Sequence, residues 1–415
     1  MSTERNESAF SPRASSVLGG LPKFITSRLE VIADDVRMIV GGWSGQAPRP
    51  FMTREPLARH KLATPARDVL VTRKLRIARV IRETPDAVSL LLADPTGKRI
   101  SFVPGQFFTL LVHLPDGEVV KRAYSISNTP DADGAVSEAR ITIKRISGGV
   151  ASNYLNDHAA EGMAVEVLGP SGSFTTNVVS TNRRHIALFA GGSGITPLMS
   201  IASTVLAGEP SSRVSLVYGN RSAADVIFHD ELAALVTAHG DRFVVHHVLT
   251  NPPEGFSGRS GLLDRDAATA ELDTLPSADE YFVCGPEPMM LAVREALEAR
   301  GVAASSIREE RYSSPGRRVR QSTPLVPQRM LVRQGSSARE VMAKAGQTVL
   351  EAGLEAALPM PFSCSMGGCG ACRVKLVEGE VVSDEPNCLS ADEKRAGFVL
   401  ACVSRPASAC VVEVP

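Results

Sequence analysis

The chain has 415 residues, of which 43% are hydrophobic and 22% are charged, and its 45 Lys and Arg residues equal its 45 Asp and Glu residues in number. A chain of this length is too long to fold around one hydrophobic core, and it predicts about three domains. A formal net charge of zero gives no reason to expect nucleic acid or another polyanion as the main partner.

Targeting signals and cysteine usage predict a cytoplasmic protein. The N-terminus is polar and has no apolar run after it, and no stretch of about 18 apolar residues occurs, so neither a secretory signal nor a spanning helix is expected. Three of the seven cysteines, Cys284, Cys388 and Cys410, show no framework spacing. This pattern favours a reducing compartment over a secreted disulfide scaffold.

Residues 1–70 differ in character from the rest of the chain. Apolar residues recur at helical spacing between Leu21 and Ile39, with charged residues between them, which predicts one amphipathic helix. The irregular stretch from Trp43 to Arg67 is interpreted as a tether. The helix could pack against its own domain, or it could dock on a partner or on a membrane surface; both alternatives stay open.

Residues 73–178 alternate between apolar and polar and are closely punctuated by turn residues. Short strands at such spacing predict a small antiparallel β-barrel, with one helix inserted at Ala151–His158. The predicted strands are Leu75–Arg82, Val88–Ala93, Phe107–His113, Lys121–Ile126, Arg140–Arg145 and Val165–Leu168.

In residues 183–312 buried-strand runs alternate with helical patterns, which predicts a parallel sheet covered by helices on both faces. The predicted strands are His185–Ala190, Arg213–Tyr218, Phe243–Leu249 and Glu280–Cys284, and a final strand begins at Ile307. The predicted helices are Pro197–Leu206, His229–Ala238 and Pro288–Arg300. A stretch rich in Pro, Ser and Arg at 313–328 is interpreted as an interdomain linker.

The last segment, 329–415, carries the most specific signal in the chain. Four cysteines follow the spacing C-x4-C-x2-C with a distant fourth, and glycines fill the loop between the first three. This spacing is typical of a plant-type 2Fe-2S cluster on an α+β ferredoxin-like (β-grasp) fold, because glycines let backbone N–H groups approach the sulfurs. A zinc site or four unrelated core cysteines fit less well, since zinc loops have paired short spacings. The predicted metal ligands are Cys364, Cys369, Cys372 and Cys402.

Two elements of the predicted barrel have the chemistry that a flavin nucleotide requires. Tyr124 can pack on the isoalloxazine face, Ser125 can hydrogen-bond its N5 edge, and Arg122 can hold phosphates. Downstream, Gly149 and Ser152 open the predicted helix, so its free N–H groups form a second phosphate site. Each element alone could be an ordinary strand end or a capped helix.

With Ser127, the pattern Arg-x-Tyr-Ser-x-x-Ser, followed by Gly-Gly-x-x-Ser and the Gly169–Phe174 turn, resembles the flavin domain of the ferredoxin-NADP reductase superfamily. The resemblance covers residues from about 73 to 312. It implies a flavin cofactor, which could be FAD or FMN; the Gly-Gly element and the turn are similar to those of the FAD members.

In that superfamily the next domain carries a glycine-rich turn and a late Cys-Gly-Pro, and this chain has both in order. Glycines between a buried strand and a helix let a pyrophosphate and a nicotinamide ribose approach the backbone. The resemblance places Cys284 beside the nicotinamide C4, whereas without it Cys284 would be interpreted as a buried apolar thiol. The predicted nicotinamide-site residues are Gly191, Gly192, Gly194, Thr196, Cys284, Gly285 and Pro286.

Two further residues carry finer predictions. Arg221 follows the second strand of the predicted parallel sheet, where it could pair the 2′-phosphate of NADPH, so NADPH is favoured over NADH. Tyr312 stands where the family has the Phe of a Glu-Arg-Phe segment near the flavin, and is predicted as an edge contact.

The order flavin domain, nicotinamide domain, 2Fe-2S domain resembles the reductase components of the phenylacetate-CoA epoxidase, phthalate dioxygenase and acyl desaturase systems. The resemblance implies an NAD(P)H oxidoreductase that passes electrons singly through FAD and the cluster to a partner oxygenase or desaturase. Tyr124, Ser125 and Cys284 are its predicted catalytic residues, acting as positioners. Two alternatives stay open: a non-oxygenase acceptor such as a hybrid-cluster protein, or a redox-sensing or carrier module.

Overall fold

The computed structural model describes residues 72–312, 326–384, 387, 389 and 391–415. All of them belong to one compact unit that spans Pro65–Pro415. The helix and tether predicted within residues 1–70, and most of the linker predicted at 313–328, lie outside the described residues. No helix in the described part of the chain is long and apolar enough to cross a bilayer.

The first domain is an antiparallel barrel, as the alternating sequence predicts. Its six main strands pair in the order β5-β4-β8-β1-β2-β7, and a bridge between Ile126 and Ile141 joins the two ends. The helix α1 (Val150–His158) follows β7. The strands are β1 (Arg73–Thr84), β2 (Ala87–Ala93), β3 (Ile100–Ser101), β4 (Phe107–His113), β5 (Val119–Ser125), β6 (Ala135–Val136), β7 (Glu138–Lys144) and β8 (Ala164–Ser171).

The second domain, called here the parallel-sheet domain, has six parallel strands in the order β12-β11-β10-β9-β13-β14. All seven residues of β9 are buried, as expected of a strand that has helices over both faces. The strands are β9 (His185–Gly191), β10 (Arg213–Asn220), β11 (Phe243–Leu249), β12 (Arg259–Ser260), β13 (Glu280–Cys284) and β14 (Ile307–Glu310). The helices are α2 (Ile195–Gly208), α3 (His229–His239), α4 (Arg265–Thr274) and α5 (Glu287–Ala299).

The helix α4 was not predicted from the sequence. Its core-facing residues are mostly small, with Ala267 and Ala268 among them, so its apolar stripe is weak. The local signal is the N-cap, where the Asp264 side chain accepts a hydrogen bond from the Ala267 N–H at 2.9 Å.

The third domain, called here the C-terminal domain, has a five-stranded sheet in the order β16-β15-β21-β17-β19 and a separate pair, β18-β20. Its strands β15 and β21 are parallel, and a capping box of Thr348 and Glu351 starts the helix α6. The strands are β15 (Gln328–Gln334), β16 (Ser337–Ala343), β17 (Arg373–Glu378), β18 (Val381–Ser383), β19 (Phe398–Leu400), β20 (Ser404–Pro406) and β21 (Cys410–Val414), and the helices are α6 (Val349–Glu355) and α7 (Ala391–Arg395).

A buried ion network lies at the start of the parallel-sheet domain. The Arg184 guanidinium contacts Glu209 at 2.7 Å and also pairs with Glu280. The Glu209 side chain is fully buried. Burial alone would raise the pKa of Glu209, but hydrogen bonds from Arg184, Ser212 and Asn182 outweigh it and lower that pKa.

The substitution Glu209→Gln should lower the free energy of unfolding by about 3 kcal/mol at pH 7, because it leaves the buried Arg184 without its main counter-charge. Since the folded-state pKa of Glu209 lies below its unfolded value, this contribution is present at neutral pH and is lost as the pH falls through the folded-state pKa. Urea unfolding of both proteins between pH 7 and pH 3 measures it.

The matched control is Glu340→Gln, which removes an exposed carboxylate 3.8 Å from Arg329 and should cost well under 1 kcal/mol. A Glu209→Gln protein as stable as the parent at pH 7, or a deficit that grows on acidification, would contradict the assigned role.

Candidate functional site

A cavity of about 800 Å³ lies along strand β5, at the upper end of the usual size range of small-molecule sites, about 300–1,000 Å³. Most of the predicted flavin residues come together there although they belong to different elements. The predicted residues that line the cavity are Arg122, Tyr124, Ser125, Gly149, Ser152, Thr196 and Tyr312. This cavity is called here the flavin cavity.

At the inner end of the flavin cavity, hydroxyl groups from both domains meet. The Tyr312 hydroxyl lies 3.0 Å from Ser125 Oγ and 2.9 Å from Thr196 Oγ1. The Ser125 hydroxyl donates to Glu310 Oε2 at 3.2 Å. Burial raises the pKa of Glu310 to about 8, so its carboxyl group is largely protonated at neutral pH.

Glu310 was not among the predicted site residues. It lies in the segment Ile307–Tyr312, in which only Tyr312 was predicted to contact the flavin. The signal that could have found it is the acidic residue two positions before that tyrosine, on a strand that ends at the domain junction.

The start of α1, which is the predicted second phosphate site, lines the flavin cavity. A Cβ on Gly149 would lie 2.5 Å from Ser152 Oγ and 3.0 Å from the Ile146 carbonyl oxygen, so a larger residue would crowd this turn. No side chain caps the helix, and its first N–H groups therefore stay available to an anion. Among the described residues no carboxylate pairs with the Arg122 guanidinium, which donates to the Lys121 carbonyl oxygen at 2.8 Å. These residues fit a flavin phosphate.

The structure does not bring Ser127 to the cavity. Its fully buried hydroxyl accepts a hydrogen bond from Arg140 Nε at 3.0 Å, and Arg140 in turn pairs with Glu231 of the parallel-sheet domain at 2.6 Å. In this conformation Ser127 supports an interdomain contact rather than a ligand.

The glycine-rich turn after β9 packs directly on the Cys-Gly-Pro segment that follows β13. A Cβ on Gly194 would lie 2.0 Å from the Cys284 carbonyl oxygen, and one on Gly191 would lie 2.6 Å from Pro286 Cδ. The close approach explains why Gly191, Gly194 and Gly285 carry no side chain, whereas Gly192 is favoured by its positive φ of 52°. Burial raises the pKa of Cys284, which keeps it a neutral thiol suited to shaping the site rather than to nucleophilic attack.

Lys144 is a second residue that sequence reasoning missed. Its Nζ lies 3.4 Å from the position that a Cβ on Gly192 would occupy, and it also lines the flavin cavity. Burial lowers the pKa of Lys144. The sequence shows only a basic residue at a strand end, and the contact with the turn becomes visible once the two domains are packed.

Arg221 lies at the carboxyl end of β10, as predicted, but it is already paired. Its Nη2 is 2.5 Å from Asp225 Oδ1 and 3.2 Å from Asp86 Oδ2. The guanidinium is 64% exposed, so it is accessible, yet two carboxylates offset its charge.

The four predicted cluster ligands lie together as two pairs. Cys372 Sγ and Cys402 Sγ are 3.1 Å apart, and the Cys364 thiol is hydrogen-bonded to the Cys369 thiol. Among the described residues, no group of three or more His, Cys, Asp or Glu side chains is arranged to hold a single metal ion. Two pairs are instead the arrangement that a two-iron cluster needs, since each iron takes two cysteines.

The loop has two further features that fit a cluster. The Cys369 thiol and backbone N–H groups, including that of Met366, lower the pKa of Cys364. The hydroxyl groups of Ser363 and Ser365 are buried and have no hydrogen-bond partner among the described residues. Buried hydroxyls normally have partners, so their position beside Cys364 suits a ligand that accepts hydrogen bonds, such as cluster sulfur.

The cluster loop is docked on the barrel. The Thr109 hydroxyl, on β4, donates to the Cys364 carbonyl oxygen at 3.1 Å, and the Thr109 side chain is fully buried. Phe107 packs with Cys364 and Met366. In the β4–β5 register Thr109 lies opposite Ala123, between the flavin-site residues Arg122 and Tyr124.

Three family models match the chain in the order of its three domains: an oxidoreductase FAD-binding domain over residues 74–176, an oxidoreductase NAD-binding domain over 188–295, and a 2Fe-2S iron-sulfur cluster binding domain over 332–407. These matches confirm the predicted fold class and the cofactors FAD, NAD(P)H and a 2Fe-2S cluster.

Relatives span the same three domains. The chain is 33% identical to a subunit of 1,2-phenylacetyl-CoA epoxidase from Escherichia coli K12, over 81% of this chain and 96% of that protein. It is 36% identical to the ferredoxin reductase component of 3-ketosteroid-9-alpha-monooxygenase from Mycobacterium tuberculosis, over 85% of this chain and 96% of that protein. The structure of phthalate dioxygenase reductase matches with a TM-score of 0.55 and 26% identity, over 83% of this chain and 98% of that chain.

The fold and site thus define an NAD(P)H oxidoreductase of the ferredoxin reductase type. The chain belongs to the family of oxygenase reductase components in which a flavin domain and a nicotinamide domain are followed by a plant-type 2Fe-2S domain.

The substitution Thr109→Val should loosen the docking of the cluster loop without changing the barrel. One net hydrogen bond contributes ~1 kcal/mol, about fivefold in the docking equilibrium. Cluster reduction after mixing with NADH, followed by stopped-flow absorption, should therefore slow severalfold, and backbone amides of residues 363–371 should exchange faster with deuterium.

Thr84→Val is the matched control, since Thr84 is a buried barrel threonine whose hydroxyl accepts a bond from the Asp86 N–H. If Thr109→Val and Thr84→Val behave alike in both measurements, the interdomain bond has no positioning role.

Proposed function

We propose that this protein oxidises NAD(P)H at the junction of its first two domains and delivers the two electrons, one at a time, to a terminal oxygenase that meets the C-terminal domain. The observation that supports this proposal most directly is the 3.1 Å hydrogen bond from Thr109 to the Cys364 carbonyl oxygen. It attaches the predicted cluster loop to the strand pair that carries Arg122, Tyr124 and Ser125.

The residues of the chain have positioning roles in this proposal. When bound, FAD would convert two-electron hydride chemistry into single electrons that a 2Fe-2S cluster can carry. Tyr124 and Tyr312 would pack on the flavin, and Ser125, with its bond to Glu310, would contact the ring edge. The Glu310 carboxyl, whose pKa is raised to about 8, carries a proton at the Ser125 end of the cavity.

The glycine-rich turn and Cys284 would seat the nicotinamide, and the nearby Lys144 ammonium would attract its phosphates. The four cysteines of the C-terminal domain would hold the cluster.

The choice of an oxygenase as acceptor is supported by the relatives, which are named as components of an epoxidase and of monooxygenases. A desaturase acceptor and contact with a membrane surface depend on the helix predicted within residues 1–70, which lies outside the described residues. A hybrid-cluster acceptor or a sensing role has no observation of its own in the described part of the chain.

For the electron donor we propose NADH. The prediction of NADPH depended on Arg221, and the Asp225 and Asp86 carboxylates already offset its charge. A 2′-phosphate would have to compete with these carboxylates, whereas the free 2′-hydroxyl of NADH could donate to one of them.

The substitution Cys369→Ser should reduce cytochrome c reduction to background while NADH-driven ferricyanide reduction persists, because it removes a cluster ligand and leaves the flavin site intact. The absorption of the purified protein should bleach on NADH addition in the parent and only in its flavin bands in the variant. Cys410→Ala, a buried cysteine of the same domain outside the two pairs, is the control and should keep both activities. Equal loss of both activities in Cys369→Ser would rule out the proposed electron order.

The substitution Asp225→Asn should shift coenzyme preference toward NADPH, because it removes the nearer of the two carboxylates that compete with a 2′-phosphate for Arg221. A charge-assisted hydrogen bond of about 1.5 kcal/mol predicts roughly a tenfold rise in the ratio of kcat/KM for NADPH to that for NADH. Asp273→Asn, which removes an exposed carboxylate paired with Arg300, should leave the ratio unchanged. An unchanged ratio in Asp225→Asn would refute the role given to this carboxylate.

A further inference from the structure

The wall of the flavin cavity that faces β5 is built by the C-terminal domain. This wall includes residues beside the cluster pairs, residues at the start of α6 and residues on β20. The residues of the C-terminal domain in this wall include Thr348, Glu351, Met366, Asp384, Val403 and Arg405. The cavity is therefore shared between two domains, and the Thr109–Cys364 hydrogen bond holds its two walls together.

The cavity extends along the whole of β5. All seven residues of β5, from Val119 to Ser125, line it, which corresponds to about 20 Å at a strand rise of about 3.3 Å per residue. The flavin ring at Ser125 and a phosphate at Arg122 would use the inner part. Beyond Arg122 the cavity continues along Val119 and the turn before it.

Apolar side chains on the barrel side of the cavity are exposed. Val119, Ile146 and Val150 are 46%, 56% and 49% exposed, and all three line the cavity. Exposed aliphatic side chains in one cavity leave apolar area that a flat heterocycle could cover.

On the C-terminal domain, Arg405 lines the same cavity. Its side chain is only 17% exposed, and its Nη1 lies 2.8 Å from Asp384 Oδ1. The ion pair fixes the guanidinium in one orientation, and a fixed planar guanidinium can stack on a purine ring.

We infer that the C-terminal domain completes the flavin site, with Arg405 and Val119 holding the adenosine monophosphate half of FAD between the two domains. This inference rests on the assignment of the cavity as the flavin site. It gives the C-terminal domain a second role besides carrying the cluster: selection of the dinucleotide FAD over the mononucleotide FMN.

Three Arg→Met variants of the full chain test the inference, with deflavinated protein titrated with FAD and with FMN by flavin fluorescence. Arg405→Met should raise the Kd for FAD about tenfold, equivalent to ~1.4 kcal/mol, and leave the Kd for FMN unchanged. Arg122→Met should weaken both ligands, because both carry the inner phosphate. Arg329→Met, which changes an exposed, carboxylate-paired arginine of the same domain away from the cavity, should weaken neither.

The outcomes distinguish a wrong adenylate site from a wrong assignment of the flavin cavity. If Arg405→Met leaves both Kd values unchanged, or raises both equally, the adenylate site between the domains is wrong. If Arg122→Met leaves both unchanged, the cavity is not the flavin site and the functional assignment itself fails.

Val119→Ser provides a second measurement that does not depend on the Arg405–Asp384 ion pair. Because Val119 is half exposed, its replacement should not affect folding, which the thermal unfolding curve checks. A selective loss of FAD affinity supports the inference, whereas equal FAD affinity in variant and parent overturns the assignment of the outer end.

Discussion

The hydrogen bond from Thr109 to the Cys364 carbonyl oxygen connects the parts of this molecule on which its chemistry depends. A flavin and a cluster on one chain can exchange electrons directly when their sites lie close together. Thr109 lies on β4, beside the strand that carries the predicted flavin-site residues, and Cys364 is the first predicted cluster ligand. Because the bond is made to backbone rather than to a side chain, the docking point constrains the position of the loop itself, and Phe107 and Met366 exclude water around it.

Sequence patterns predicted the elements and most of the candidate site because the relevant signals are local. The strands Phe107–His113, Phe243–Leu249 and Glu280–Cys284 have the predicted bounds, since alternation or unbroken apolar runs mark them. The cysteine spacing and the glycine-rich turns similarly depend on short-range geometry. The helix α4 was missed because alanines replace the larger apolar residues that would have given it a clear stripe.

Residues whose roles depend on contacts between domains could not be identified from the sequence. Lys144, Glu310 and Thr109 have ordinary local contexts, and their significance appears only when two domains are packed together. Contacts between domains also give two of the predicted residues a role that differs from the predicted one. Ser127 supports Arg140 and its interdomain partner Glu231, and Arg221 is engaged by carboxylates from both the barrel and the parallel-sheet domain.

The four cluster cysteines differ sharply in their access to solvent. Cys364, Cys372 and Cys402 are at most 8% exposed, whereas Cys369 is exposed. Three of the predicted ligands are therefore largely covered by protein, and Cys369 is the one that faces solvent. An acceptor protein that docks over Cys369 would meet the cluster at its exposed ligand, and it would also cover the side of the loop that dioxygen could otherwise reach.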